Sequence, residues 1–178
     1  MMLKPLLEEF LRVEGVSAAV VVGRDGFVIE SAVSGKVDIE ALGAMASTGL
    51  GACHAIGHAL GGRFDIAHGV ALTMVLPGVL AFSLPECAAG LADVAFALGA
   101  GDTAADTKGN ASSAISAVAE LARSVRMVST LADFGIAACD FQQIAADALD
   151  DEVIANAPVQ PTAQVIEAIL AGALGGSA

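Results

Sequence analysis

Read for the spacing of apolar and polar residues, the chain changes character along its length. Near the start, Leu6, Leu7, Phe10 and Leu11 recur at helical spacing and form one amphipathic stripe, and Gly15 can serve as its stop. Ser17 to Val22 and Phe27 to Ser31 are runs rich in β-branched residues on either side of Arg24, Asp25 and Gly26, the pattern of a β-hairpin. Asp38 stands where it would cap a helix running from Ile39 through Met45. Beyond that point the period is helical throughout.

The downstream helices have recognisable ends. Gly61 and Gly62 break one helical stretch and let the chain turn. Gly69 to Phe82 is uncharged and contains Pro77 and Gly78; a membrane-spanning helix needs about 20 apolar residues, so a buried helix is expected and no membrane partner. Leu91, Val94, Ala95 and Leu98 share a face of a helix from Cys87 to Leu98, which Gly99 to Gly101 would end. Asn110 can cap a helix whose stripe is Ile115, Val118, Ala119 and Ala122 and whose last turn carries Arg123 and Arg126. Thr130 or Asp133 opens a short connector, Asp140 caps Phe141 to Leu149, and Pro161 with Thr162 opens a last helix through Leu170. The fold class expected is mainly α, a multi-helix domain preceded by a short α-β-β-α segment containing the hairpin.

Composition narrows the partners. A net charge of -12, with eight Lys and Arg in all, excludes nucleic acid and anionic membrane, which need clustered cations. The chain is 56% hydrophobic and 16% charged, so apolar surface is expected to be covered by a second copy or a partner chain. Cys53, Cys87 and Cys139 are odd in number and widely spaced, as reduced thiols are in a cytoplasmic protein, and the N-terminus lacks a secretory signal pattern. The acidic group Asp147, Asp150, Asp151 and Glu152 does not match a calcium loop and reads as a solvated helix end.

The one concentration of chemistry is histidine. His54, His58 and His68 are the only imidazoles of the chain. His54 and His58 are i, i+4 and share a helix face, and the glycines after them can return His68 toward the pair. Neutral imidazole is a ligand for iron and zinc. Spacing alone favours an ordinary hydrogen-bonded role over a metal one. Cys53 is a poor additional ligand, because adjacent helical residues point about 100° apart.

The run from Gly49 through His54 and on to His68, Gly69 and Pro77 resembles the core motif of the iron-containing alcohol dehydrogenases. So do the segment from Gly90 through Asp93 to Gly99, then Leu131 to Gly135, Asp140 to Asp147, Asn156 and Pro161 with Thr162. Over about residues 49 to 174 the resemblance implies the family's C-terminal helical domain, with His54 and His68 as metal ligands for Fe(2+) or Zn(2+) and His58 as the catalytic-pocket histidine near a nicotinamide. It departs from the family at Gly78, Ser83 and Val125 to Val128. The family completes its metal shell with an Asp and a His one turn apart on an earlier helix and binds NAD(P) in an N-terminal α/β domain. No Asp-x-x-x-His occurs in these residues, and no NAD(P) site is expected in them.

The segment from Leu7 through Gly15 and Val22 to Ser31 resembles instead the start of a roadblock/dynein light chain domain. The chain therefore reads as chimeric, with a roadblock-like helix, hairpin and start of helix over residues 1–48 and the dehydrogenase-like domain over residues 49–178. Two functions follow as expectations: an incomplete metal-dependent alcohol dehydrogenase-like oxidoreductase, inactive alone, or a non-catalytic module for dimerisation or binding of a GTPase regulator.

Overall fold

The computed structural model describes residues 3–13, 18–22, 28–35, 50–124, 127 and 129–175. Two compact units are present, residues 1–49 and residues 50–178. Gly15, the turn at Arg24 to Gly26 and the helix expected after Asp38 lie outside the described residues.

In the first unit, helix α1 (Leu3–Phe10) lies on an antiparallel pair, β1 (Ala18–Val22) and β2 (Val28–Val33). Ala18 pairs with Val33 and Val21 with Glu30, with an irregularity after Val21. The expected stripe is only partly a buried face. Leu7 is buried and Leu11 half-buried, whereas Leu6 and Phe10 are exposed. A small sheet offers one narrow surface, and Leu7 with Ala32 fills it.

The second unit is all helical: α2 (Ala52–Phe64), α3 (His68–Ala97), α4 (Thr107–Ser124), α5 (Phe141–Asp150) and α6 (Ala163–Leu174), joined by short 3-10 turns. The chain as a whole is mainly α. The principal core gathers Ile56 and Leu60 of α2, Val75 of α3, Ile144 of α5, and Ile166 and Leu170 of α6 with Leu131 of a 3-10 turn. These side chains are essentially inaccessible, and each contributes roughly 1.5–3 kcal/mol by leaving water. Gly57 lets α2 approach α3, for a Cβ there would meet Leu72 Cδ2 at 2.6 Å. A second, smaller core joins Leu91 and Ala95 of α3 to Ala111 and Ala114 of α4.

Four expectations need correction. Helix α2 does not break at Gly61 and Gly62 but runs to Phe64, and the turn is made by Asp65 in the left-handed conformation (φ 53°), whose N–H donates to the Gly61 carbonyl. Packing of Leu60 and Phe64 against the core outweighs the roughly 1 kcal/mol that each glycine costs a helix.

The separate helices expected at Gly69 to Phe82 and Cys87 to Leu98 are one helix of 30 residues, with Pro77 and Pro85 inside it. Each proline removes one backbone donor, but contacts with α2, α4 and α6 hold the helix together on both sides. By length and composition α3 could cross a membrane. Here it is packed against three other helices.

Asn110 is not a cap. Asp106 is, its Oδ1 accepting from Gly109 N at 2.7 Å, while Asn110 is buried one turn into α4. There its Oδ1 accepts from Asp102 N and its Nδ2 donates to the carbonyls of Asp102, Ala105 and Asp106.

Asp140 likewise does not cap α5 with its side chain, which accepts from Ala137 N at 2.8 Å and closes the preceding 3-10 turn. Thr130 and Thr162 do serve as caps, with Asp133 completing a capping box at the first. Gly99 takes φ 73° beyond the end of α3, where a residue with a Cβ would be strained.

Candidate functional site

The site is built at the junction of α2 with α3. Helix α2 carries His54 and His58 one turn apart; the Asp65 turn then reverses the chain, and His68 opens α3. The three rings gather, with centres 6.1 Å apart for His54 and His58 and 5.4 Å for each pair involving His68. Ile56 and Leu60 on the opposite face of α2 are inaccessible and lock its rotation, which keeps the imidazoles at the rim. His54 is half-buried, and His58 and His68 are exposed.

The electrostatics favour a neutral imidazole at His54. Desolvation, reinforced by His68 and His58 as like charges, pushes its pKa below the ordinary histidine value. Neutral imidazole is the form that ligates a metal. Among the described residues no group of three His, Cys, Asp or Glu side chains is placed so as to hold a metal ion. The histidines are gathered as rings but have not converged on one point.

His58 has a partner that the sequence did not suggest. Its Nδ1 lies 2.7 Å from Asp151 Oδ2, although 93 residues separate the two. Asp151 follows the last residue of α5 and is the N-cap of the 3-10 turn Glu152–Asn156, where its other oxygen accepts from Val153 N at 3.0 Å. That backbone bond, followed by the His58 bond, lowers the pKa of the Asp151 carboxyl. One turn earlier on α5, Asp147 pairs with Arg63 of α2 and accepts from Gln143. The acidic group read as a solvated helix end thus contains two residues that stitch α5 to α2.

A recess of about 310 Å³ is bounded by His58, Gly62, Arg63, Asp147 and Asp151. A separate, mostly apolar cavity of about 590 Å³, lined by Met74, Pro77, Phe82 and Ile169 among others, contains no histidine. Cys53 faces away from the imidazoles in its bonding: its thiol lies 3.8 Å from the Leu72 carbonyl, and burial pushes its pKa up to about 11. At neutral pH it is held as the thiol.

The C-terminal model of the Fe-containing alcohol dehydrogenase family matches residues 31–174. Alcohol dehydrogenase 4 of Schizosaccharomyces pombe is 34% identical over 139 residues, which cover 76% of this chain and 32% of that protein. The 1,3-propanediol dehydrogenase of Klebsiella pneumoniae is 35% identical over 120 residues, 67% of this chain and 31% of that protein. A crystal structure of 1,3-propanediol oxidoreductase superposes with a TM-score of 0.72 at 32% identity, over 76% of this chain and 36% of that one. The chain spans about a third of the length of these curated relatives. With a family match over most of its residues and the same helical architecture in a solved relative, the chain belongs to the Fe-containing alcohol dehydrogenase family, within which it corresponds to the C-terminal helical domain.

Proposed function

We propose that the second unit is the histidine-bearing part of a metal site for NAD(P)-linked oxidoreduction of alcohols and aldehydes in the cytoplasm. His54 and His68 are two of the metal ligands, and His58 is the pocket histidine that orients the substrate or relays its proton. The observation that carries this reading is the gathering of three imidazoles from two helices, with ring centres 5.4–6.1 Å apart.

The donor set fits Fe(2+) or Zn(2+): imidazole nitrogen suits both, and His54 is held in the neutral form that ligation requires. Bound there, a divalent metal supplies Lewis-acid polarisation of an alcohol oxygen. The chain's own residues do the rest. His54 and His68 are fixed by the α2 core and the Asp65 turn, and His58, tied to Asp151, stands beside them to hold or move a proton.

Two further ligands of the family's shell, an Asp and a His one turn apart, have no counterpart in these 178 residues. A protein made of these residues alone is therefore proposed to turn over no alcohol. Metal analysis tests the site. After loading and desalting, the chain is expected to retain stoichiometric iron or zinc, and His54→Ala to lose it. A metal-free chain, or NAD-dependent turnover by the pure protein, overturns the corresponding half of the reading.

A second reading concerns the first unit, as a roadblock-type dimerisation or GTPase-regulator module. It is favoured by the two-stranded sheet and by the exposure of Leu6, Phe10, Ile29 and Val33. Strand edges of this kind invite pairing. Light scattering separates the outcomes: a dimer that Ile29→Lys dissociates supports it, and a monomer at high concentration removes it.

A further inference from the structure

We propose that Asp151 is a positioning residue for His58: it holds the ring as the Nδ1–H tautomer and leaves Nε2 as the nitrogen with the free lone pair. The inference rests on the reading of His58 as the pocket histidine, and its test does not pass through catalysis.

The geometry assigns the proton. An ionised carboxylate only accepts, so at a separation of 2.7 Å the hydrogen between Asp151 Oδ2 and His58 Nδ1 belongs to the ring. The carboxylate is itself fixed. Its Oδ1 is occupied by Val153 N–H at 3.0 Å, its backbone forms the joint between α5 and the following turn, and its side chain is 23% exposed. Each oxygen has one task, and rotating the carboxylate would give up both bonds. The ring also stacks on that of His68, with centres 5.4 Å apart and planes 25° apart.

Which imidazole nitrogen carries the proton is decided by the hydrogen bond the other makes. A neutral His58 held in this way presents an acceptor at Nε2. It can take a hydrogen bond, and then a proton, from the hydroxyl of an alcohol, whereas the opposite tautomer would present a donor and repel the same hydroxyl hydrogen. Asp151 thereby suits His58 to the alcohol as the bound form.

The test is histidine nitrogen NMR on the full chain at about pH 8, where an ordinary imidazole is neutral. Long-range proton–nitrogen correlations show which ring nitrogen is protonated. In the wild type, Nδ1 of His58 is expected to be the protonated nitrogen.

Asp151→Asn is the informative variant. Its amide oxygen can keep the Val153 cap, since Asn is as good an N-cap as Asp, while its NH2 group faces His58 and forces Nδ1 to accept. The two ring-nitrogen resonances of His58 should then exchange places, and those of His54 should stay. Asp151→Ala should lose the preference, and circular dichroism reports whether each variant folds.

Protonated Nε2 in the wild type overturns the proposal without reference to any variant, and so does an unchanged tautomer in folded Asp151→Asn. Loss of metal binding would instead sink the metal-site reading and leave the tautomer result standing.

Discussion

His54 and His68 stand on different helices, yet their ring centres are 5.4 Å apart, because the chain reverses at Asp65 between them. Sequence separation alone does not bring them together. Helix α2 must end two residues before Ile66, which is buried and anchors the turn. Any metal that both rings hold would staple α2 to α3.

That staple predicts metal-dependent stability. Zinc added to the purified chain should raise its melting temperature, since a ligand at about one hundred times its dissociation constant adds about 2.7 kcal/mol to the folded state. His68→Ala should melt at the same temperature with and without zinc. An equal shift in the variant would place the zinc elsewhere.

Leu60 tests the support beneath the histidines. It is fully buried on the face of α2 opposite to them, and Leu60→Ala should cost about 2–5 kcal/mol, as large-to-small core changes do. Denaturant melts would show it. Zinc affinity should fall in the same variant, because the rotation of α2 is no longer fixed.

Asn110 binds a loop rather than a helix end. Its amide makes four hydrogen bonds to the Asp102–Asp106 segment while only 4% exposed. Asn110→Ala removes these side-chain bonds from the Asp102–Asp106 segment and should cost on the order of 1–3 kcal/mol. The melting temperature reads this directly, and Asn110→Asp should not rescue it, because a carboxylate cannot donate to the three carbonyls.

Acid should release α5 from α2. Asp147 has its pKa lowered chiefly by the Arg63 bond, and Asp151 by the Val153 N–H and then His58. In both cases the folded state binds fewer protons than the unfolded one. The stability they add is therefore present above the ordinary carboxyl value of 3.8 and is lost as pH falls through the lower folded values. Asp147→Asn should melt below the wild type at neutral pH, and the gap should close as pH falls below the ordinary carboxyl value and the carboxylate is protonated. High salt should also narrow it, as this pair is at the surface.

The legible part of the protein was the part written locally. Caps at Thr130 and Thr162, the stop at Gly99 and the face shared by His54 and His58 depend on residues a turn apart, and the sequence states them. Asp151 meeting His58 depends on how α5 lies across α2, and nothing within ten residues of either encodes it. Gly61 and Gly62 misled for the opposite reason. They weaken a helix locally by amounts that the burial of Leu60 and the packing of Phe64 exceed. Asn110 looked like a cap because Asn often is one; it lies a turn deeper, where Asp106 has already taken that place.

The smaller core at the far end of α3 has a consequence for motion. Its buried residues are three alanines and one leucine, Leu91 and Ala95 against Ala111 and Ala114, with Leu80, Leu84, Cys87 and Ala88 partly buried around them, while most of the fully buried large aliphatic side chains sit around the near half of the helix. An alanine contact releases little apolar area when it opens. The outer half of α3 and the start of α4 should thus fray as one cooperative segment, exchanging amide hydrogens for deuterium well before α2, α5 and α6. The histidine end would then stay shut while the far end breathes, so a partner that seizes the outer half could order it without disturbing the imidazoles.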